Sequence, residues 1–255
     1  MQDDITTFKC SNGDTKALYI PRSGPLLVMI HGFPGRPQDF KRLIDQLDEF
    51  SILAVALPGF GISEPFQGIT NDSLVQNLIE VIQQCPEVDI YVLGHSFGST
   101  LAISVAVQMA DSVSGLFLVS PVGLRPHRAM RSGARYVYPV FRYTPLYWLR
   151  RQIIPALFHR AGFPKKVSFN AMWLSCHLAW TFRFSAYKTS VSQIQVPCTV
   201  IHSSDDPIIE TQIITELVTE LIDAEILRLD SGKHNPHHIH AAQVSQVITN
   251  KMLGR

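Results

Sequence analysis

The chain has 255 residues, of which 46% are apolar and 17% are charged, a composition that indicates a globular protein with a large core and excludes intrinsic disorder. At roughly 150 residues per domain, the length corresponds to one or two domains. No apolar run approaches the roughly 20 residues that span a bilayer, and the acidic amino terminus has no signal-peptide pattern. The four cysteines are scattered without a CxxC spacing, so we expect a reducing, cytoplasmic environment.

The formal net charge of +1 conceals a strong asymmetry along the chain. Residues 112–204 contain no Asp or Glu but twelve Lys or Arg, so the remainder of the chain has a net charge of −11. This asymmetry predicts an interaction surface without identifying its ligand. The cations lie among large apolar residues rather than in a solvated stripe, so we expect no nucleic-acid partner.

Apolar runs alternate with segments of helical spacing along most of the chain. The runs predict buried parallel strands at 26–32, 51–59, 88–96, 113–121, 196–204 and 224–231. The helical segments are 39–47, 70–83, 97–109, 208–221 and 241–252, and an antiparallel hairpin is expected over 5–10 and 17–20. This alternation predicts an α/β fold with a mostly parallel central sheet covered by helices on both faces.

Residues 123–190, here called the cap segment, interrupt the alternation. Thr144 followed by Pro145 is typical of a helix start, and a second helix is expected over 167–187. The first helix is expected to carry an apolar stripe of Leu146, Leu149, Ile153 and Leu157. We therefore expect a core domain of residues 1–122 and 191–255, with a helical cap or lid inserted at 123–190.

The most specific motif is Gly94–Gly98 (GHSFG), which fits G-x-S-x-G between a predicted strand and a predicted helix. In that context a tight turn raises the serine oxygen above the sheet, and the glycines permit close backbone approach. Ser96 is therefore the candidate nucleophile. We expect His95, beside it, to pack against or support the site.

A nucleophilic serine needs a base and an acid that orients the base. Between Ser96 and Asp205 the only acidic residue is Asp111, at the far end of the helix after the nucleophile. The candidate acids are therefore Asp205 and Asp206, in the loop after the predicted strand 196–204. His234, in the loop after the last strand, is the candidate base, since α/β sites form at the carboxyl ends of the strands.

The same chemistry needs N–H donors for a developing oxyanion. The backbone N–H of Phe97 is one candidate, because Phe97 follows the nucleophile and opens a helix. The backbone N–H of Phe33 is the second, in the segment 31–35 (HGFPG) that follows the first parallel strand.

Together these motifs, with 57–63 (LPGFGIS) and the cap segment, resemble the lid-bearing serine esterases, lipases and C–C hydrolases of the α/β-hydrolase family. The family acid motif G-x-x-D-x-x-x-P falls on residues 203–210, which implies Asp206 as the acid. Ser203 and Glu210 depart from that motif, so Asp205 stays open as the alternative. Lys233 also departs, since the family tends to have glycine directly before the histidine.

The resemblance implies a hydrolase that needs no cofactor and forms an acyl-enzyme, with carboxylic ester hydrolysis as the leading reaction. Thioester or C–C cleavage, or a ligand-binding or receptor-type member with negligible turnover, are the alternatives. Ser96 argues against the family members that use an Asp nucleophile. The spacing of the four histidines in 234–240 does not match a helical pair of zinc ligands, so no metal is expected.

The cap segment holds all twelve of the cations and fourteen of the chain's twenty-four Phe, Trp and Tyr residues. We expect a positive rim around an aromatic entrance, unless the cations pair with the acidic remainder of the chain. The expected ligand is a small ester-type substrate, with an anionic ester or an anionic membrane surface suiting the charge.

Overall fold

A computed structural model describes residues 5–131, 136–160 and 163–254. These residues form one sheet of eight strands, which are β1 (Ile5–Phe8), β2 (Thr15–Ile20), β3 (Leu26–Ile30), β4 (Ser51–Val55), β5 (Ile90–His95), β6 (Val113–Val119), β7 (Cys198–Ser203) and β8 (Ala224–Leu229). The strand order is β1-β2-β4-β3-β5-β6-β7-β8, in which β1–β2 and β2–β4 pair antiparallel and all other neighbours pair parallel.

Helices cover both faces of this sheet because its central strands are apolar on both sides. These helices are α1 (Lys41–Ile44), α2 (Asn71–Ile82), α3 (Gly98–Gln108), α9 (Thr211–Glu220), α10 (Pro236–Ile239) and α11 (Ala241–Met252). In β3, Val28 and Ile30 pack on one face with α2 and α3, whereas Leu27 and Met29 pack on the other face with α1 and α11. The predicted α/β architecture and the edge hairpin are confirmed.

Between β6 and β7 the described residues form helices and no strand. These are α4 (Arg128–Arg131), α5 (Val137–Tyr143), a 3₁₀ helix (Pro145–Leu149), α6 (Arg150–Arg160), α7 (Phe169–Thr181) and α8 (Phe184–Ser192). The division into a core domain and a cap at 123–190 stays a prediction, and its residues 1–4, 132–135, 161–162 and 255 lie outside the described residues. No helix in the described part of the chain has the length and hydrophobicity to cross a membrane.

The predicted apolar stripe of the first cap helix is wrong in part. Thr144 does cap the segment, accepting a hydrogen bond from the N–H of Leu146, but the first turn is a 3₁₀ helix. The tighter 3₁₀ winding shifts the phase of the side chains. As a result Leu146 and Leu157 are each 45% exposed, and Ile154 is the buried residue.

The single helix expected over 167–187 is also wrong, because the chain breaks it into α7 and α8. Phe182 adopts extended backbone angles between them, with φ −65° and ψ 128°. This break turns the Phe182 ring onto Phe97, edge to face at 5.1 Å between ring centroids. A tertiary aromatic contact therefore overrides local helix propensity. The sequence around Phe182 contains no Gly or Pro that would have predicted the break.

Some cations of the cap segment form ion pairs with glutamates outside that segment. Arg125 contacts Glu216 at 2.7 Å, and Lys188 lies 3.7 Å from Glu220. A third pair joins Arg131 to Glu210. The alternative of pairing with the acidic remainder of the chain therefore holds for these cations, and Arg135 lies outside the described residues.

Candidate active site

Ser96 lies in a sharp turn between β5 and α3, at the carboxyl edge of the parallel strands. Its φ of +51° is in the left-handed region, which non-glycine residues rarely adopt and which is associated with functional sites. The flanking glycines are required by close packing. A Cβ on Gly94 would lie 2.5 Å from the Cα of Ser99, and one on Gly98 would lie 2.3 Å from the carbonyl oxygen of Ile30.

His234 lies in the loop between β8 and α10 and bridges two other predicted site residues. Its Nε2 is 2.8 Å from the Oγ of Ser96, and its Nδ1 is 2.8 Å from the Oδ2 of Asp206. Since the carboxylate can only accept, Nδ1–H donates to Asp206 and Nε2 accepts from the serine hydroxyl. Residues 138 positions apart in sequence are thereby joined in one hydrogen-bonded chain.

Asp206 follows β7, and its side chain is completely buried. Its Oδ1 accepts the backbone N–H groups of Ile208 at 2.8 Å and Ile209 at 3.0 Å, which leaves Oδ2 for the imidazole. Burial by itself would raise the pKa of this carboxyl group. The hydrogen bond and charge of His234, with the two amides, outweigh burial and lower the pKa below its ordinary value.

Asp205, the alternative acid, is exposed and points to a different partner. Its Oδ1 accepts the backbone N–H of Lys233 at 2.8 Å, so it contacts the loop that carries His234 rather than the imidazole itself. The structure thus brings Asp206, and not Asp205, to the ring.

The two predicted oxyanion donors, Phe33 and Phe97, lie side by side. Their rings stack at 4.5 Å between centroids, and Phe33 also stacks on Phe60 at 4.8 Å. A Cβ built on Gly32 would lie 3.0 Å from the Cβ of Ser96, so the loop after β3 runs against the nucleophile. Neither the Phe33 nor the Phe97 backbone N–H donates a hydrogen bond to any of the described residues, so both are available to a ligand.

His31 fixes the start of that loop. Its buried ring donates from Nδ1 to the carbonyl oxygen of Gly32 at 2.8 Å and accepts at Nε2 from the N–H of Leu57 at 3.2 Å. Burial lowers its pKa, which keeps the ring in this neutral tautomer. The imidazole thereby ties the loop after β3 to the segment after β4.

His95 forms a hydrogen bond with the loop that carries His234, a contact that its position beside the nucleophile did not predict. Its Nε2–H donates to the carbonyl oxygen of His234 at 2.8 Å, and its ring lies 4.5 Å from that of His237. Burial, followed by the neighbouring histidines, holds the pKa of His95 well below its ordinary value. The sequence placed His95 beside the nucleophile, but no local pattern revealed a bond to a residue 139 positions away.

Other histidines near the site are also held neutral. Burial lowers the pKa of His127 to about 4 and that of His237 to about 3. His202, 3.9 Å from Asp206 through its Nδ1, has its pKa lowered by burial as well. Among the described residues, no three His, Cys, Asp or Glu side chains are grouped to hold a metal ion.

Comparison with known proteins gives a family for this chain. Residues 27–247 match the model of the alpha/beta hydrolase family. The pimeloyl-[acyl-carrier protein] methyl ester esterase of Shewanella oneidensis is 34% identical over 100 residues, which cover 38% of this chain and 35% of that protein. The chain thus spans well under two thirds of this relative's length.

Solved structures agree on the fold. An esterase from Exiguobacterium antarcticum superposes with a TM-score of 0.80 at 16% identity, covering 97% of this chain and 98% of that one. A thermophilic esterase from Thermogutta terrifontis gives a TM-score of 0.77 at 18% identity, covering 98% of each chain. At these identities the likeness concerns the fold alone.

Proposed function

The chain belongs to the α/β-hydrolase family, and we propose that it is a serine hydrolase that cleaves carboxylic esters through an acyl-enzyme. The observation that carries the proposal is the unbroken hydrogen-bonded chain from Ser96 through His234 to Asp206, with 2.8 Å at each link. Relatives named as esterases are consistent with this reaction.

In the first step, Ser96 Oγ attacks the ester carbonyl carbon while its proton passes to His234 Nε2. The Oγ–H already points at Nε2, so the transfer needs no rearrangement of the side chains. Asp206 accepts from Nδ1–H throughout, which holds the ring in the tautomer that leaves Nε2 free and stabilises the imidazolium. Its lowered pKa keeps the carboxylate ionised for this role.

The tetrahedral intermediate places a negative charge on the former carbonyl oxygen. We assign its stabilisation to the backbone N–H groups of Phe33 and Phe97. Each donor of this kind is typically worth about 10²- to 10³-fold in rate. The stacked rings of these two residues would fix the spacing of the two amides before substrate binds.

The intermediate collapses as the C–O bond of the ester breaks, and His234 returns its proton to the departing alcohol. Water then attacks the acyl-enzyme with His234 as base, which releases the acid and restores Ser96. No step draws on a cofactor or metal, so we expect EDTA to leave turnover unchanged.

We further propose a small ester-type substrate that reaches Ser96 beneath the cap segment acting as a lid. The contact between Phe182 and Phe97 supports this role, because it joins the cap segment to the residue after the nucleophile. The four free thiols fit the expected reducing, cytoplasmic environment.

A panel of neutral esters, carboxylate-bearing esters and thioesters tests the proposal. We expect kcat/KM to be largest for an oxygen ester and to disappear in Ser96→Ala. Preferential thioester or C–C cleavage that depends on Ser96 would keep the mechanism and change the substrate. Retention of ligand affinity without turnover in the unmodified protein would favour a binding protein instead.

A further inference from the structure

The chain's exposed large apolar side chains are concentrated in one stretch of the cap segment. Of the eleven such residues among those described, seven lie between positions 136 and 157. The densest part is Tyr143–Arg151, here called the cap tip. In it Tyr143 is 71% exposed, Trp148 60% and Tyr147 57%, and the 3₁₀ helix Pro145–Leu149 buries no residue.

The cap tip is also positively charged, and it lies within the stretch 112–204 that contains no Asp or Glu. Arg150 lies over the ring of Trp173 at 5.0 Å and Arg151 over that of Phe169 at 4.9 Å, and just before the tip Arg142 lies over Tyr143 at 5.5 Å. Within the described residues, none of the three has a carboxylate at salt-bridge distance. The cations of the cap segment that pair with the core lie elsewhere, at Arg125, Arg131 and Lys188.

We propose that the cap tip docks on the surface of an anionic membrane. Tyr and Trp are the residues that lie at the level of lipid headgroups, with their rings buried and their polar atoms wet. Arg residues beside them are attracted by anionic headgroups, at about 1 kcal/mol for each cation near the surface. The cap tip combines exposed aromatic rings with arginines that, within the described residues, have no carboxylate partner.

The exposure and charge of the tip argue against other occupants. A small apolar ligand requires a concave site that encloses it, whereas the 3₁₀ helix Pro145–Leu149 leaves its side chains at least partly exposed. A second copy meeting the same face would bring cations against cations, since residues 112–204 contain no acid. A membrane surface accepts exposed aromatic side chains and supplies the negative charge that this part of the chain lacks.

The experiment measures binding of the full chain to vesicles of phosphatidylcholine alone and of phosphatidylcholine mixed with phosphatidylglycerol, by co-sedimentation at low and high salt. We expect binding to the anionic vesicles only, weakened by salt because exposed charges are screened beyond about 8 Å at physiological ionic strength. Arg150→Gln with Arg151→Gln should weaken binding about 30-fold, which corresponds to about 1 kcal/mol for each cation.

Matched variants separate the charge from the local fold. Arg150→Lys with Arg151→Lys keeps the charge and should retain binding, even though the guanidinium groups that stack on Trp173 and Phe169 are lost. Trp148→Ser should weaken binding about tenfold or more, since it removes the exposed ring. Val88→Ser is its control, because Val88 is 88% exposed but lies outside the cap segment.

Turnover of a soluble short-chain ester is followed in every variant as a separate readout, so a loss of vesicle binding is scored independently of the proposed enzymatic function. Equal binding to neutral and anionic vesicles, no binding to either, or equal losses in Trp148→Ser and Val88→Ser would overturn the proposal. So would dimerisation in the absence of lipid that Trp148→Ser abolishes, since the tip would then be an interface between copies.

Discussion

Replacing Asp206 by Asn should disable the imidazole without disturbing the packing around it. Asn has nearly the shape of Asp, but it carries one acceptor oxygen and one NH₂ group. The backbone N–H groups of Ile208 and Ile209 both point at Oδ1, so they would select the amide oxygen at that position. The NH₂ group would then face His234 and donate to Nδ1.

This donation would reverse the tautomer of His234. With Nδ1 accepting, the ring proton moves to Nε2, which then cannot take the proton of Ser96. Loss of the correct tautomer in a serine triad costs roughly 10⁴-fold in kcat, which corresponds to about 5.5 kcal/mol of transition-state stabilisation. We expect a loss of this order in Asp206→Asn.

Asp205→Asn is the matched control, because Asp205 contacts the backbone of the loop that carries His234 and not the imidazole. Its oxygen would still accept the N–H of Lys233, and the side chain is exposed. Loss of the charge from one exposed hydrogen bond should cost less than about tenfold in turnover. The assay is kcat and KM for a soluble chromogenic ester, with thermal unfolding to confirm that both variants fold. A larger loss in Asp205→Asn than in Asp206→Asn would refute the reasoning.

Three further outcomes are expected. Ser96→Ala and His234→Ala should each abolish most ester turnover. The double variant should be little slower than either single variant, because the rate losses of residues that act as a unit are not independent. A double-variant loss equal to the product of the two single losses would contradict this. Since the folded-state pKa of His237 is about 3 and its unfolded value about 6.5, unfolding takes up a proton below pH 6.5. Stability is therefore lost as the pH falls, by about 2 kcal/mol from this group between pH 7 and pH 5. Urea unfolding of His237→Leu should show a shallower pH dependence, and an unchanged slope would be inconsistent. His95→Phe removes the hydrogen bond to the His234 carbonyl, so kcat should fall about tenfold with little change in KM; His95→Gln should recover part of it, whereas a loss seen only in KM would indicate another role.

The order of the elements was readable from the sequence because parallel strands buried on both faces have a simple signature. Every predicted core strand and helix has a counterpart within a few residues, as in β7, expected over 196–204 and observed at Cys198–Ser203. Ser96 was indicated by its motif between a strand and a helix, and position after a strand indicated His234 and limited the acid to Asp205 or Asp206. The choice of Asp206 came from the resemblance to the family motif.

The cap segment was less readable because its conformation depends on tertiary contacts. Helical spacing placed Leu146 and Leu157 in one apolar stripe, but a 3₁₀ turn after Thr144 changed the phase and left both exposed. The break at Phe182 follows from an aromatic contact with Phe97, which no local pattern in the segment indicates.

The most direct measurement for the proposed mechanism is the site of covalent labelling by a fluorophosphonate, read by mass spectrometry of the digested protein. We expect stoichiometric labelling of Ser96, in step with loss of ester turnover, no labelling in Ser96→Ala and strongly slowed labelling in Asp206→Asn. Labelling of another residue in step with inactivation, or full turnover after Ser96 is labelled, would contradict the assignment of Ser96, His234 and Asp206 as the catalytic residues.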